Sequence, residues 1–240
     1  MKSRLVPAAL ALPVVAAILA AGCGHRPAQN GDGTPTATIE RPDSAPARPS
    51  ARATVVFLGT SLTAGLGVDP DQAYPALLQR KADSAGLALT ILNRGNSGET
   101  SAGALARVGW ILQTPPSLLV IETGANDGLR GQDPDSTKAN IQAIIDKARA
   151  RDSTIRIAIV GMEAMPNLGR RYVERFRAIY PELARRNDAI YVPVLLEGIA
   201  GVEGLNQADG VHPTPKGQER VAENVWKALR PTFEELGRGK

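Results

Sequence analysis

The sequence predicts a three-layer α/β/α domain, a flavodoxin-like, doubly wound parallel sheet of about five strands. Three observations predict it. Five short aliphatic runs succeed one another at intervals wide enough for crossover connections. The segments between them place apolar residues at helical spacing. The runs are apolar nearly throughout rather than alternating, which suits strands covered on both faces.

The elements follow in order. Thr54-Val55-Val56-Phe57-Leu58 is β-branched, apolar and closed by Gly59, which fits a buried strand. Leu87 to Asn93, Ser117 to Thr123, Ile155 to Val160 and Ala189 to Val194 share that character. Between them, Ala73 to Ala85 sets Tyr74, Leu77 and Leu78 on one stripe. Ala139 to Ala150 does the same with Ile141, Ile144, Ile145 and Ala148. Arg171 to Arg186 aligns Val173, Phe176, Ile179, Tyr180 and Leu183. The last helix is expected to begin with Thr214 as N-cap and Pro215 at its first position. Trp110 and Trp226 lie in helical patterns and are assigned to packing. Right-handed crossovers in a 2-1-3-4-5 order would place ligands beyond the carboxyl ends of the strands.

Ahead of this domain, 53–240, two further segments are expected. Lys2 and Arg4 precede an apolar run from Leu5 to Ala21 broken by Pro7 and Pro13, which reads as a signal peptide over residues 1–22. The run ends in Leu19-Ala20-Ala21-Gly22-Cys23, similar to a bacterial lipoprotein box, with Ala20 where a larger aliphatic residue is preferred. That resemblance implies lipidation of Cys23 and export to the outer membrane. Ordinary cleavage at small residues, leaving a free thiol, is the alternative. Residues 23–52 read as a tether: after Cys23 they hold five prolines, no aromatics and one large aliphatic residue, Ile39.

Composition narrows the chemistry. The 240-residue chain has a formal charge of +4, but 22 basic face 21 acidic residues from Ala53 onward. With aromatics at 4% and no basic run interleaved with them, nucleic-acid binding has little support. Cys23 is the one cysteine, so an intrachain disulfide is excluded. Of the two histidines His25 falls in the tether, leaving His212 as the domain's imidazole. This count argues against a multi-histidine metal centre, and no metal or cofactor is expected.

Asp209-Gly210-Val211-His212-Pro213 puts a carboxylate three residues before that imidazole. A tight loop at this spacing can bring the carboxylate to Nδ1 and leave Nε2 free to take a proton. An Asx-turn feeding the last helix would leave the same pattern. Gly59-Thr60-Ser61-Leu62 follows the first strand directly, where a serine is exposed at the sheet's carboxyl edge. Taken alone, Ser61 reads equally as a helix N-cap.

Together the blocks resemble those of the SGNH (GDSL-like) hydrolases. Gly59-Thr60-Ser61-Leu62 is similar to the GDSL motif, with Thr60 in place of the family's Asp. Asn93 to Ser101 resembles the second block, Gly124-Ala125-Asn126-Asp127 the third, and Asp209-Gly210-Val211-His212 the last. All four stand in family order. The likeness is greatest to the periplasmic acyl-CoA thioesterase, lysophospholipase and arylesterase group, and extends to Asn126–Gly131 and Gly169–Tyr172. It implies Ser61 as nucleophile, His212 as base and Asp209 as its orienting carboxylate. The oxyanion hole would be the amides of Ser61 and Gly98 with the side chain of Asn126. Asp127, Leu129, Met165 and Leu168 are candidate substrate contacts. Loop bracing is the alternative for Asp127, and core packing for Met165 and Leu168. Arg130, Arg170 and Arg171 read as solvated surface.

The expected activity is a serine esterase acting on small acyl esters, aryl esters, thioesters or lysophospholipids through an acyl-serine. A carbohydrate O-deacetylase of the same fold, or a non-catalytic ligand-binding envelope lipoprotein, are the competing readings. A monomer held to a membrane by its lipid anchor is expected.

Overall fold

The computed structural model describes residues 52–238. Cys23, the expected signal peptide and all but the last residue of the expected tether lie outside the described residues. The chain runs through β1 (Ala53–Gly59), α1 (Ser61–Ala64), α2 (Tyr74–Ser84), β2 (Leu89–Gly95), α3 (Ser101–Ile111), β3 (Leu118–Ile121), α4 (Ala125–Leu129), α5 (Pro134–Arg151), β4 (Arg156–Val160), α6 (Arg170–Arg186), β5 (Ile190–Val192) and α7 (Pro215–Gly237). Short 3₁₀ turns occur at Pro70–Gln72 and Pro166–Leu168.

All five strands are parallel, in the order β2-β1-β3-β4-β5. The expected topology is the observed one. Helices α2 and α7 pack on each other and against β2, while α3, α5 and α6 form a second layer touching β1 and β4. The middle strands are dry on both faces: Val55 to Leu58, Leu118 to Ile121 and Ile157 to Val160 are all buried. Each such aliphatic side chain contributes about 1.5–3 kcal/mol by leaving water. Continuity of apolar residues, rather than alternation, is the price of that double coverage.

The chain reverses direction between β1 and β3, since β1 crosses to β2 on one side and the path then returns to β3 on the other. That switch opens a crevice at the carboxyl ends of β1 and β3. Ser61 follows β1, Gly98 follows β2 and Asn126 follows β3, so three distant sequence blocks meet at one edge.

Some element bounds differ from expectation. β5 stops at Val192, because Pro193 has no amide to continue a ladder. α5 starts at Pro134, capped by Asp133, rather than at Ala139. Trp110 does not pack: it sits on the outer face of α3, 60% exposed, with the Arg94 guanidinium 5.7 Å from its ring centre. Helical spacing marks α3 but not which face is covered: Ala104, Val108 and Ile111 are buried and Trp110 is not. Trp226 does pack, with its ring centre 5.8 Å from that of Phe233. Among the described residues no helix is long and apolar enough to cross a membrane.

Candidate active site

Ser61 opens α1 directly after β1, which fixes its side chain above the sheet edge. His212 Nε2 lies 2.8 Å from Ser61 Oγ, and His212 Nδ1 lies 2.6 Å from Asp209 Oδ2. Asp209 Oδ1 also accepts the amides of Val211 and His212, each at 2.9 Å. These bonds curl the loop so that the imidazole faces back across the crevice. The side-chain bond from His212, then its amide and that of Val211, lower the Asp209 carboxyl from its usual value to about 2.

The histidine loop is itself anchored. Gln207 donates Nε2 to Leu66 O at 2.7 Å and to Pro213 O at 3.0 Å, and its amide bonds His212 O at 2.7 Å. One side chain thus ties the loop carrying His212 to the turn that follows Ser61. Sequence reasoning had no handle on Gln207, because its partner Leu66 lies 141 positions away.

Gly98 and Asn126 stand on neighbouring loops. Gly98 has φ +79°, a left-handed conformation that favours glycine. A Cβ there would meet no protein atom within 4 Å, so conformation rather than protein crowding calls for glycine. Asn126, in the first turn of α4, donates Nδ2 to Glu99 O at 3.0 Å. Its second N–H is left to point elsewhere.

Asp127 departs from its candidacy as a substrate contact. It is fully buried, accepting from the Ser101 amide at 2.8 Å, from Ser101 Oγ at 2.5 Å and from Thr137 Oγ1 at 3.3 Å. It braces the start of α3 against α4 and α5 and has no face on the crevice.

A carboxyl that sequence reasoning passed over lies beneath Ser61. Glu122, at the end of β3, is fully buried. It accepts from the Thr60 amide at 2.8 Å, Thr60 Oγ1 at 2.9 Å, Thr63 Oγ1 at 2.7 Å and the Thr63 amide at 3.3 Å. Thr63 Oγ1 and the Tyr74 hydroxyl share a further bond of 2.6 Å. Burial pushes the Glu122 carboxyl above its usual range, outweighing the four bonds that favour the anion. Burial, with the Glu122 charge second, pushes the Tyr74 phenol well up, so it remains a neutral hydroxyl. The signal was present: a lone acid closing the run Leu118-Leu119-Val120-Ile121 needs partners. Gly59 makes room for it, since a Cβ there would come within 2.7 Å of Glu122 Oε2. Thr60, the departure from the GDSL pattern, meets this carboxyl with its hydroxyl.

Beside Ser61 opens an apolar cavity of about 250 Å³. Leu62, Ala125, Leu129, Met162, Met165 and Val211 are among the residues that line it. Leu129 and Met165 thus face the cavity, half exposed at 52% and 45%. Leu168 is not in its lining; it is half-buried against the core, near Gly131. Arg170 and Arg171 are exposed, whereas Arg130 donates to Gly98 O at 3.0 Å. Among the described residues no cluster of three or more His, Cys, Asp or Glu could hold a metal.

An imidazole between a hydroxyl and a carboxylate can draw the hydroxyl proton onto Nε2 while the carboxylate steadies the resulting cation. Such an array beside an apolar cavity suits nucleophilic attack on an acyl carbonyl.

The comparisons with known proteins agree with this chemistry. The model of the GDSL-like Lipase/Acylhydrolase family matches residues 57–220. The chain is 41% identical over 183 residues to Esterase TesA of Pseudomonas aeruginosa, covering 76% of this chain and 90% of that protein. It is 36% identical over 185 residues to Thioesterase 1/protease 1/lysophospholipase L1 of Escherichia coli K12, covering 77% and 86%. A crystal structure of TesA superposes with TM-score 0.70 at 41% identity, covering 74% of this chain and 98% of that one. The psychrotrophic esterase EstA from Pseudoalteromonas sp., inhibited by monoethylphosphonate, gives 0.72 at 31% identity, covering 76% and 99%. With a family match across most of the described domain, and relatives this similar over nearly their whole length, the chain belongs to the GDSL-like lipase/acylhydrolase (SGNH) family.

Proposed function

We propose that this protein is a serine esterase that hydrolyses carboxylic esters and thioesters with an apolar acyl group, through an acyl-serine intermediate. The observation that carries the reading is the Ser61–His212–Asp209 array, joined at 2.8 and 2.6 Å, beside an apolar cavity lined by the neighbouring Leu62, Gly210 and Val211. Ser61 Oγ bonds to the carbonyl carbon as its proton passes to His212 Nε2. The carbonyl oxygen becomes an oxyanion, met by the amides of Ser61 and Gly98 and by the free N–H of Asn126. Collapse expels the alcohol or thiol, which takes the proton back from His212. Water then repeats the sequence on the acyl-serine and releases the acid. Asp209 holds the imidazole in the tautomer this requires.

The cavity supports acyl chains longer than acetyl, in keeping with the esterase, thioesterase and lysophospholipase names of the relatives. Leu129 and Met165 would line the chain's path, and Leu168 would support them from behind. The leader and Cys23 support export and a lipid anchor facing lipid-derived esters.

Hydrolysis of p-nitrophenyl esters from acetyl to dodecanoyl tests the reading. Ser61→Ala or His212→Ala should lower kcat by more than about 10⁴-fold. Each added methylene should raise kcat/KM by up to about fourfold until the cavity is filled, from about 0.8 kcal/mol per buried CH₂. A preference confined to acetyl esters would instead favour a deacetylase. Unchanged activity in Ser61→Ala would end the serine mechanism. Mass spectrometry of membrane fractions should find a lipidated N-terminal Cys23, and an unmodified terminus would dismiss the anchor.

A further inference from the structure

We infer that Arg107 and Glu99 form an ion-pair clamp that positions the oxyanion hole, Arg107 also neutralising a carboxylate that would otherwise face the developing negative charge. The inference rests on the esterase reading above.

Glu99 directly follows Gly98, and its carboxylate is nearly buried, with the side chain 6% exposed. Arg107, two turns into α3, donates Nε to both Glu99 oxygens at 2.7 and 2.9 Å, and Nη2 to Oε2 at 2.7 Å. The same Nη2 reaches Arg94 O, near the end of β2, at 2.7 Å and Gly59 O, the last residue of β1, at 3.3 Å. One guanidinium therefore joins the strand that delivers Ser61, the strand that precedes Gly98, and the Gly98 loop itself. The third donor is tied in as well, because Asn126 Nδ2 bonds the backbone carbonyl of Glu99 at 3.0 Å. Asn96 Nδ2 completes the set on Glu99 Oε1 at 3.0 Å.

This arrangement has two consequences. The planar fork of arginine fixes the two strand ends and the Gly98 loop as one unit, which lysine, a single point of charge, cannot do. Misplacing a catalytic group by about 1 Å can cost on the order of 100-fold in rate. Electrostatically, a carboxylate one residue from an oxyanion donor opposes negative charge on the substrate, and the bidentate guanidinium cancels it. Arg107 and Glu99 are accordingly positioning residues: neither needs to touch the substrate.

The test compares wild type, Glu99→Gln, Arg107→Lys, Arg107→Met and the double variant Glu99→Gln/Arg107→Met. We expect Arg107→Met to lower kcat about 100-fold with KM within about threefold, and Glu99→Gln to lower it about 10-fold. Arg107→Lys should fall between wild type and Arg107→Met. The double variant should recover activity over Arg107→Met, because the uncompensated carboxylate is gone. Inhibition by butylboronic acid, whose serine adduct is tetrahedral and anionic, should weaken in step with kcat, while butyrate, a planar product, should inhibit unchanged. Thermal unfolding separates a lost fold from a lost site. Variants that keep wild-type kcat and boronate affinity would overturn the clamp, as would a double variant no better than Arg107→Met. If the single variants do not fold, the double variant, which leaves no unpaired charge, carries the same comparison with wild type. Wild type inert toward every ester and toward the boronic acid would overturn the esterase reading itself, and the clamp with it.

Discussion

Beneath Ser61, Glu122 sets a charge that folding does not welcome. Its carboxyl is raised in the folded chain, so the fold prefers the protonated form, and the stability this provides is lost as pH rises through the raised value. Glu122→Gln cannot ionise. Its unfolding temperature relative to wild type should therefore climb as pH rises from the ordinary carboxyl range through the raised folded-state value. A difference that stays flat would show that Glu122 titrates as it would in water. Thr60→Val keeps the amide bond to Glu122 but removes the hydroxyl, and should destabilise by about 1–3 kcal/mol in urea unfolding. Asp209 behaves in the opposite sense. With its carboxyl held at about 2, the bonds that shape the histidine loop persist above its ordinary pKa and are lost only as pH falls toward that value. Acid inactivation within the weakly acidic range would thus originate elsewhere than Asp209.

At the scale of elements, helix starts were legible where polar side chains announce them. Thr214 accepts the Gly217 amide at 3.2 Å with Pro215 at the first helical position, as the Thr-Pro pair suggested. Because this cap sits two residues past His212, it ends the histidine loop as well as beginning α7. Thr214→Ala should cost about 1 kcal/mol, read as a fall of roughly 2–4 °C in Tm. The same signature at Asp133-Pro134 is obscured, since the following Asp135-Ser136-Thr137-Lys138 show no apolar stripe and periodicity marks the helix only from Ala139. There Thr137 turns inward to Asp127, a use of a polar residue that periodicity cannot register. Strand positions came through because β1, β3 and β4 are buried on both faces. Edge strands were less distinct: β2 is half-buried along most of its length and starts two residues later than its apolar run.

Across the whole molecule, the sequence motifs mark the groups that could meet the substrate and are silent about what holds them. Ser61, Gly98, Asn126 and His212 each lie in a short local pattern, and the topology delivers them to one edge. Their supports pair over long separations, 62 positions for Thr60 and Glu122 and 48 for Arg107 and Gly59, and no local pattern can encode such a pairing. The economy of histidine has a practical consequence. Since His212 is the one imidazole among the described residues, a fragment spanning 52–238 yields a single set of ring resonances in NMR, with no assignment problem. The proton on its Nδ1, in a 2.6 Å bond to Asp209, should resonate far downfield, disappear in Asp209→Ala and persist in Ser61→Ala. The protein thus carries a built-in spectroscopic reporter, able to follow the histidine loop through each step of the proposed reaction without any added label.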